Sequence, residues 1–195
     1  MPNLKDVNNL VMGAWLVLVL FWFFSAANVK RDVRKSSGMR GRSLTLVRLI
    51  LALALTYMFP AVTTKIFGHS RTAPRDVAMR TAGLVLVLGG IALAIWARSH
   101  LGKNWSSHPA LKENHELITT GPYSTIRHPI YTGMLTAFIG SVFATMAPFW
   151  VYLVVLMAIT FVYRVHVEEG IMIRNFPDTY PNYKSRTKAL IPFLW

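Results

Sequence analysis

Residues 127–169 read RHPIYTGMLTAFIGSVFATMAPFWVYLVVLMAITFVYRVHVEE. Between His128 and Arg164 there is no charged residue, and Pro148 falls near the middle of the run. Such a run suits hydrocarbon, which takes about 20 apolar residues per crossing, or ~17 at the short end. It holds two crossings, one from Ile130 to about Ala147 and one opened by Pro148 and continuing to about Val167. Hardly any residues separate them, so the pair is predicted to form a tight antiparallel hairpin. The hairpin sets the start of the first helix, Arg127-His128, beside the exit of the second, Arg164-Val-His166-Val-Glu168-Glu169. That juxtaposition follows from topology alone.

Further out lie three more apolar runs: about Leu10 to Val29, Leu44 to Thr63 and Thr81 to Ala97. The first lacks the basic n-region and small-residue cleavage site of a signal peptide, so it is expected to stay as a helix of the mature protein. The second carries only Arg48, near its end, where a long side chain snorkels to the interface. The third contains Gly83, Gly89 and Gly90, which would let neighbouring helices approach closely. The prediction is an all-α integral membrane protein with about five transmembrane helices in one domain, 1–195. Residues 1–97 supply three helices, and 98–195 hold the polar chemistry.

Composition agrees: 53% of the chain is hydrophobic and 15% charged, where soluble domains carry roughly a quarter charged residues. With no cysteine, a disulfide scaffold, a thiolate nucleophile and a thiolate zinc site are all excluded. The net charge of +13 is not a nucleic-acid signature here, because the basic residues crowd the ends of apolar runs. With the amino terminus outside, fifteen Lys and Arg fall in inner segments and five in outer ones. The positive-inside rule then turns the loop before the hairpin and the C-terminal segment toward the cytosol. No acidic residue or histidine sits at mid-membrane depth, which disfavours a channel or transporter.

Two polar regions interrupt the oily pattern. The loop from Arg98 to His128 holds four of the six histidines: His100, His108, His115 and His128. A loop of that length is more often functional than idle. It ends at Arg127-His128-Pro129, and proline suits a first helical position. The free N–H groups and partial positive charge of the helix start, with Arg127 and His128 alongside, predict an anion site. At the hairpin exit, Arg164 and Glu168 are four apart and share a face, while Glu169 is turned by about 100°. Plainer readings exist for each feature. The Arg–Glu pair can anchor a helix at the headgroups, His-Pro can be a cap, Trp105 can be a belt residue, and the tail from Phe176 to Trp195 can be an interfacial helix. The histidine spacings of 8, 7 and 13 match no compact ligand pattern, so no metal is expected.

Five stretches in order resemble the isoprenylcysteine carboxyl methyltransferase family of membrane enzymes. They are Leu101-Gly-Lys-Asn-Trp105-Ser106; His115-Glu-Leu-Ile118 with Thr-Thr-Gly121-Pro-Tyr123; Ile126-Arg-His-Pro-Ile-Tyr131-Thr-Gly133; Arg164 to Glu169; and Phe176 to Arg186 with Leu190-Ile-Pro-Phe193. The resemblance runs from about Leu101 to Trp195. It departs from the family pattern at Gly170, where the acidic pair is often extended. It implies a methyltransferase that uses S-adenosyl-L-methionine without a Gly-x-Gly-x-x-Gly Rossmann site. Its cofactor pocket would be formed by the loop, the hairpin and the cytosolic C-terminal segment.

Carried over position by position, the resemblance puts His115, Leu117, Ile118, Gly121 and Tyr123 on the adenosine side. Arg127, His128 and Tyr131 would hold the methionine end, and Glu168 with Glu169 a hydroxyl or ammonium. Arg164 would orient the acceptor carboxylate, with Trp105 also on the substrate side; Arg164 and Glu168 are the catalytic candidates. The implied acceptor is a lipophilic or lipidated molecule arriving from the bilayer, a prenylcysteine-like carboxylate being favoured. Membrane lipids are the other expected partner; nucleic acid is not. A phospholipid amine or small thiol stays open as acceptor, with His100, His108 or His166 as its base. So do an NADPH-dependent sterol-type reductase and a small transporter.

Overall fold

The computed structural model of the chain describes residues 4–26, 74–105, 116–147 and 149–190. The predicted span from Leu44 to Thr63, along with His108 and His115, lies outside the described residues. The described chain is helical: α1 (Leu4–Ala26), α2 (Pro74–Leu101), α3 (Pro129–Thr145), α4 (Phe149–Asn175) and a short α5 (Tyr180–Arg186), with 3-10 turns at Gly102–Asn104 and Gly121–Ser124. No strand occurs among the described residues; the nearest approach is one isolated parallel bridge between Ile126 and Lys188.

Hydrocarbon explains the helices, since an apolar run there must satisfy its own backbone groups. α1, α2 and α4 are long and apolar enough to cross a membrane, and α3 is apolar but has 17 residues. At 1.5 Å per residue, α4 reaches about 40 Å and α3 about 25 Å. Phe23, Phe24, Ile159 and Tyr163 are more than 60% exposed, an apolar surface that water would not tolerate. The chain is an integral membrane protein.

Two helix ends extend well beyond the sequence reading, while α3 stops at Thr145, short of Ala147. α2 begins seven residues before Thr81, and α4 runs eight residues past Val167. Apolar scanning stops at the first charges, but the backbone continues through them. In α4 the turns beyond Val167 are carried by the Arg164–Glu168 pair and by Asn175 Nδ2 donating to Ile171 O at 2.7 Å. The helix ends where Pro177 follows Phe176.

α2 and α3 approach closely along a seam of small residues. A Cβ on Gly90 would lie 2.5 Å from Gly133 O, and one on Gly140 would lie 2.6 Å from Val87 N. Gly83 and Gly90 on α2 match Gly140 and Gly133 on α3, each pair seven apart, so both keep to one face. Gly89 does not belong to the seam: nothing lies within 4 Å of its Cβ position. One residue from Gly90, it is turned by about 100° away from α3. α1 closes the bundle, burying Val11 and Leu18 against Val87 and Ala137. Trp15 Nε1 donates to the fully buried Ser141 Oγ at 3.0 Å.

Candidate functional site

The site forms where the start of α3, the end of α4 and the chain around α5 meet. Gly121 opens the approach at φ +59°, a backbone conformation that costs glycine little. The turn it starts buries Tyr123, whose Oη donates to Ala97 O at 3.3 Å. Tyr183 Oη donates to Tyr123 O at 2.7 Å, and burial holds that phenol up to about 12. The chain then pairs with the C-terminal segment: Arg127 N–H donates to Lys188 O at 2.7 Å and His128 N–H to Ala189 O at 3.0 Å.

This pairing corrects the expected anion site at the helix start. The backbone N–H groups of Arg127 and His128 are taken by carbonyls, and those of Tyr131 and Thr132 donate to His128 O. Positive charge at the α3 start therefore comes from side chains. Arg127 also turns away from the α3 start: Nε donates to Glu169 Oε1 at 2.7 Å, and Nη1 reaches Lys184 O at 3.1 Å and Thr187 O.

The two adjacent acids face different ways. Glu168 Oε1 accepts Tyr131 Oη at 2.6 Å and Arg164 Nη2 at 3.2 Å. Glu169 instead joins Arg127 and, at 2.6 Å, Lys184 Nζ. His128 lies between them, with Nδ1 3.5 Å from Glu168 and Nε2 3.6 Å from Glu169. Burial disfavours its charged form, but the two carboxylates outweigh that and raise the His128 pKa. Its ring stacks on Tyr131, centroids 5.6 Å apart, and Tyr131 stacks on Phe161 at 4.5 Å.

Beside this column opens a cavity of about 380 Å³, within the ~300–1,000 Å³ of small-molecule sites. Of the predicted residues, Trp105, Leu117, Ile118, Tyr123, Arg127, His128, Tyr131, Arg164 and Glu168 all line it. The Arg127-His128 and Arg164-Glu168 clusters therefore share one hollow. Gly121 and Glu169 are not on its wall. Gly121 shapes the turn that carries Tyr123, and Glu169 is aimed at α5. Nor do His100 and His166 reach it: His100 Nε2 pairs with Thr120 Oγ1 at 2.9 Å and His166 Nδ1 with Val162 O at 2.8 Å. Trp105 is more than a belt residue. Arg98, only 3% exposed, stacks on it at 4.4 Å.

Sequence reading missed Trp22, Met134, Met157, Phe161, Tyr180 and Tyr183 on the cavity wall. A signal for two of them was present. Stepping back along α4 from Glu168 and Arg164 by three and four residues gives Phe161 and Met157, on the same helical face. Among the described residues, no three His, Asp or Glu side chains gather as a metal site.

A family model, phospholipid methyltransferase, matches residues 78–179, just over half of the chain and all of α3 and α4. The chain belongs to the phospholipid methyltransferase family. Among its relatives is the protein-S-isoprenylcysteine O-methyltransferase of Xenopus laevis, 29% identical over 161 residues, covering 78% of this chain and 56% of that one. The nickel-cobalt-cadmium resistance protein NccN of Alcaligenes xylosoxydans xylosoxydans is 29% identical over 134 residues, covering 66% of this chain and 58% of that one. This phospholipid methyltransferase family member thus spans under three-fifths of the length of either relative. The solved structure of the eukaryotic intramembrane Ras methyltransferase ICMT shares its fold, with a TM-score of 0.60 at 23% identity over 75% of this chain and 52% of that one.

Proposed function

We propose that the protein is a membrane methyltransferase that uses S-adenosyl-L-methionine and acts on a lipophilic acceptor, a prenylcysteine-like carboxylate being favoured. In this reading it crosses the membrane about five times, the last two helices form a tight hairpin, and the cavity faces the cytosol. One observation carries the proposal. A single cavity is lined both by polar groups, Arg164, Glu168, His128 and Tyr131, and by apolar ones, Trp22, Met134, Met157 and Phe161.

The polar lining suits this donor. With His128 protonated, three cationic side chains on the wall (Arg127, His128 and Arg164) face two carboxylates (Glu116 and Glu168), a surplus that favours an amino-acid carboxylate. Glu168 would meet the ammonium or a hydroxyl, and Leu117, Ile118 and Tyr123, with His115, the adenosine. When bound, S-adenosylmethionine supplies a methyl carbon made electrophilic by its positive sulfur.

The chain's own work is to bind, align and dehydrate. A carboxylate acceptor is ionised at pH 7 and needs no base. That matters here, because the imidazole on the cavity wall, His128, is already engaged by the two carboxylates beside it. An amine or thiol acceptor would need such a base; of the candidates, His100 and His166 lie off the cavity, and His108 is outside the described residues. Arg164 would orient the acceptor. Alignment of this kind contributes on the order of 7–11 kcal/mol.

The test is incubation of purified protein with radiolabelled S-adenosylmethionine and a panel of prenylcysteines, phospholipids and thiols, followed by extraction. Base-labile label in the prenylcysteine supports the proposal, and base-stable label in a phospholipid moves the acceptor to an amine. Absence of donor binding, together with NADPH binding, replaces the proposal with a reductase.

A further inference from the structure

Residues 176–190 form a strap across the cavity. Tyr180 and Tyr183 line the hollow from it, so any cavity ligand depends on where the strap rests. The strap has little stability of its own. α5 spans seven residues and has no side-chain cap at its start, and helices that short are marginal alone. Its position must come from ties to the rest of the fold.

Backbone pairing holds the strap's far end, at Lys188 and Ala189, and Tyr183 is tied to Tyr123 O; the side-chain ties of the α5 end converge on Glu169. Its carboxylate, 8% exposed, meets Lys184 Nζ on the strap at 2.6 Å and Arg127 Nε at 2.7 Å. Arg127 in turn donates to the strap carbonyls of Lys184 and Thr187. The guanidinium is thus held by an acid on α4 while it holds the backbone of the strap. None of these bonds involves Glu168, Tyr131 or Arg164.

We infer that Glu169, Arg127 and Lys184 are positioning residues that set methyl-donor affinity by holding the strap over the cavity. The inference rests on the proposed methyltransferase reading. Adjacency in sequence gives the acids separate tasks: about 100° of helical rotation aims Glu168 into the hollow and Glu169 at its cover. The tie is also sensitive to solvent on one side, because the Lys184 side chain is 44% exposed. Salt should weaken the Lys184–Glu169 arm and leave the buried Arg127–Glu169 arm intact.

The test compares Lys184→Met, Lys184→Arg and wild type in lipid nanodiscs, with hydrogen exchange across residues 176–190, binding of radiolabelled S-adenosylmethionine, and turnover at saturating donor. An exposed ion pair predicts a modest effect. Lys184→Met should speed exchange in the strap and weaken donor binding by about five-fold, with kcat within about two-fold of wild type. Lys184→Arg should restore both. Rising salt should weaken donor binding in wild type and change Lys184→Met little. Unchanged strap exchange in Lys184→Met, or a fall in kcat with donor affinity intact, overturns the inference. If wild type fails to bind the donor at all, the underlying methyltransferase reading fails instead.

Discussion

Replacing Glu168 by glutamine removes one charge and almost no volume. The amide oxygen can still accept Tyr131 Oη, now at 2.6 Å, so the ring column of His128, Tyr131 and Phe161 keeps its support. What disappears is the negative charge that would face the donor's ammonium. A hydrogen bond to a charged group contributes about 1.5–3 kcal/mol. The side chain is 23% exposed and is shared with Arg164 and His128, which places the loss near the lower end. At 1.4 kcal/mol per factor of ten, donor binding should weaken by roughly 10–30-fold. The assay is calorimetric titration of S-adenosylmethionine into the purified protein, with thermal unfolding run on the same samples. A dissociation constant within two-fold of wild type, at an unchanged unfolding midpoint, would remove Glu168 from the donor site.

Arg164→Ala should act on the other partner: turnover falls by at least about 100-fold while donor affinity shifts by less than about three-fold, since it removes alignment of the acceptor. Equal losses in both parameters would refute an acceptor-side role. The raised His128 pKa predicts a pH-dependent stability. A group more basic in the folded state stabilises fully below its unfolded pKa, about 6.5, and that contribution is lost as pH rises through the folded value. The groups facing it are Glu168, Glu169 and the Tyr131 ring, and the two carboxylates are shared with Arg164, Arg127 and Lys184. Wild type should therefore lose thermal stability as pH rises from about 6.5 through the folded value, and His128→Gln should show a flatter profile over that range. On the α2–α3 seam, Gly133→Ala would set a methyl 2.6 Å from Gly90 O, and overpacking should cost about 1–3 kcal/mol in the unfolding midpoint. Gly89→Ala meets nothing within 4 Å and should be neutral or stabilise by up to about 1 kcal/mol; equal effects from the two would contradict the seam.

Hydropathy made the helical class and the meeting of Arg127-His128 with Arg164-Glu168 legible, because an uncharged run leaves the backbone few alternatives. Helix ends were less legible, since the charges that mark the membrane boundary do not stop an α-helix. The fate of Arg127 could not be read at all. Its partners Glu169, Lys184 and Thr187 lie 42 to 60 residues away, and local spacing carries no trace of them. Gly89 and Gly90 look alike in sequence, and only the position of α3 decides which one a neighbour touches. The split between Glu168 and Glu169 was half legible: their rotation is fixed by helix geometry, but what each meets is set by the strap.

Two arginines show how topology and packing share a residue. Arg80 and Arg98 sit near opposite ends of α2, both under 7% exposed. Arg80 Nη1 donates to Ala144 O at the end of α3 at 3.2 Å, and Arg98 Nη2 to Ser25 O at the end of α1 at 2.7 Å. Helix C-termini leave carbonyls without partners and carry partial negative charge, so a buried guanidinium is a strong cap for them. Charge counting treats both as loop charges that report orientation, but these two are committed to neighbouring helices. Arg80 is one of the four basic residues counted in an outer segment. Taking it out of the solvent tally leaves that side poorer in positive charge. Arg98, Arg127, Arg164 and Lys184 leave the inner side in the same way, but that side retains Lys103, Arg186 and Lys188, whose side chains are exposed. The asymmetry thus rests on residues free to meet a headgroup, which is where the positive-inside rule has its physical cause.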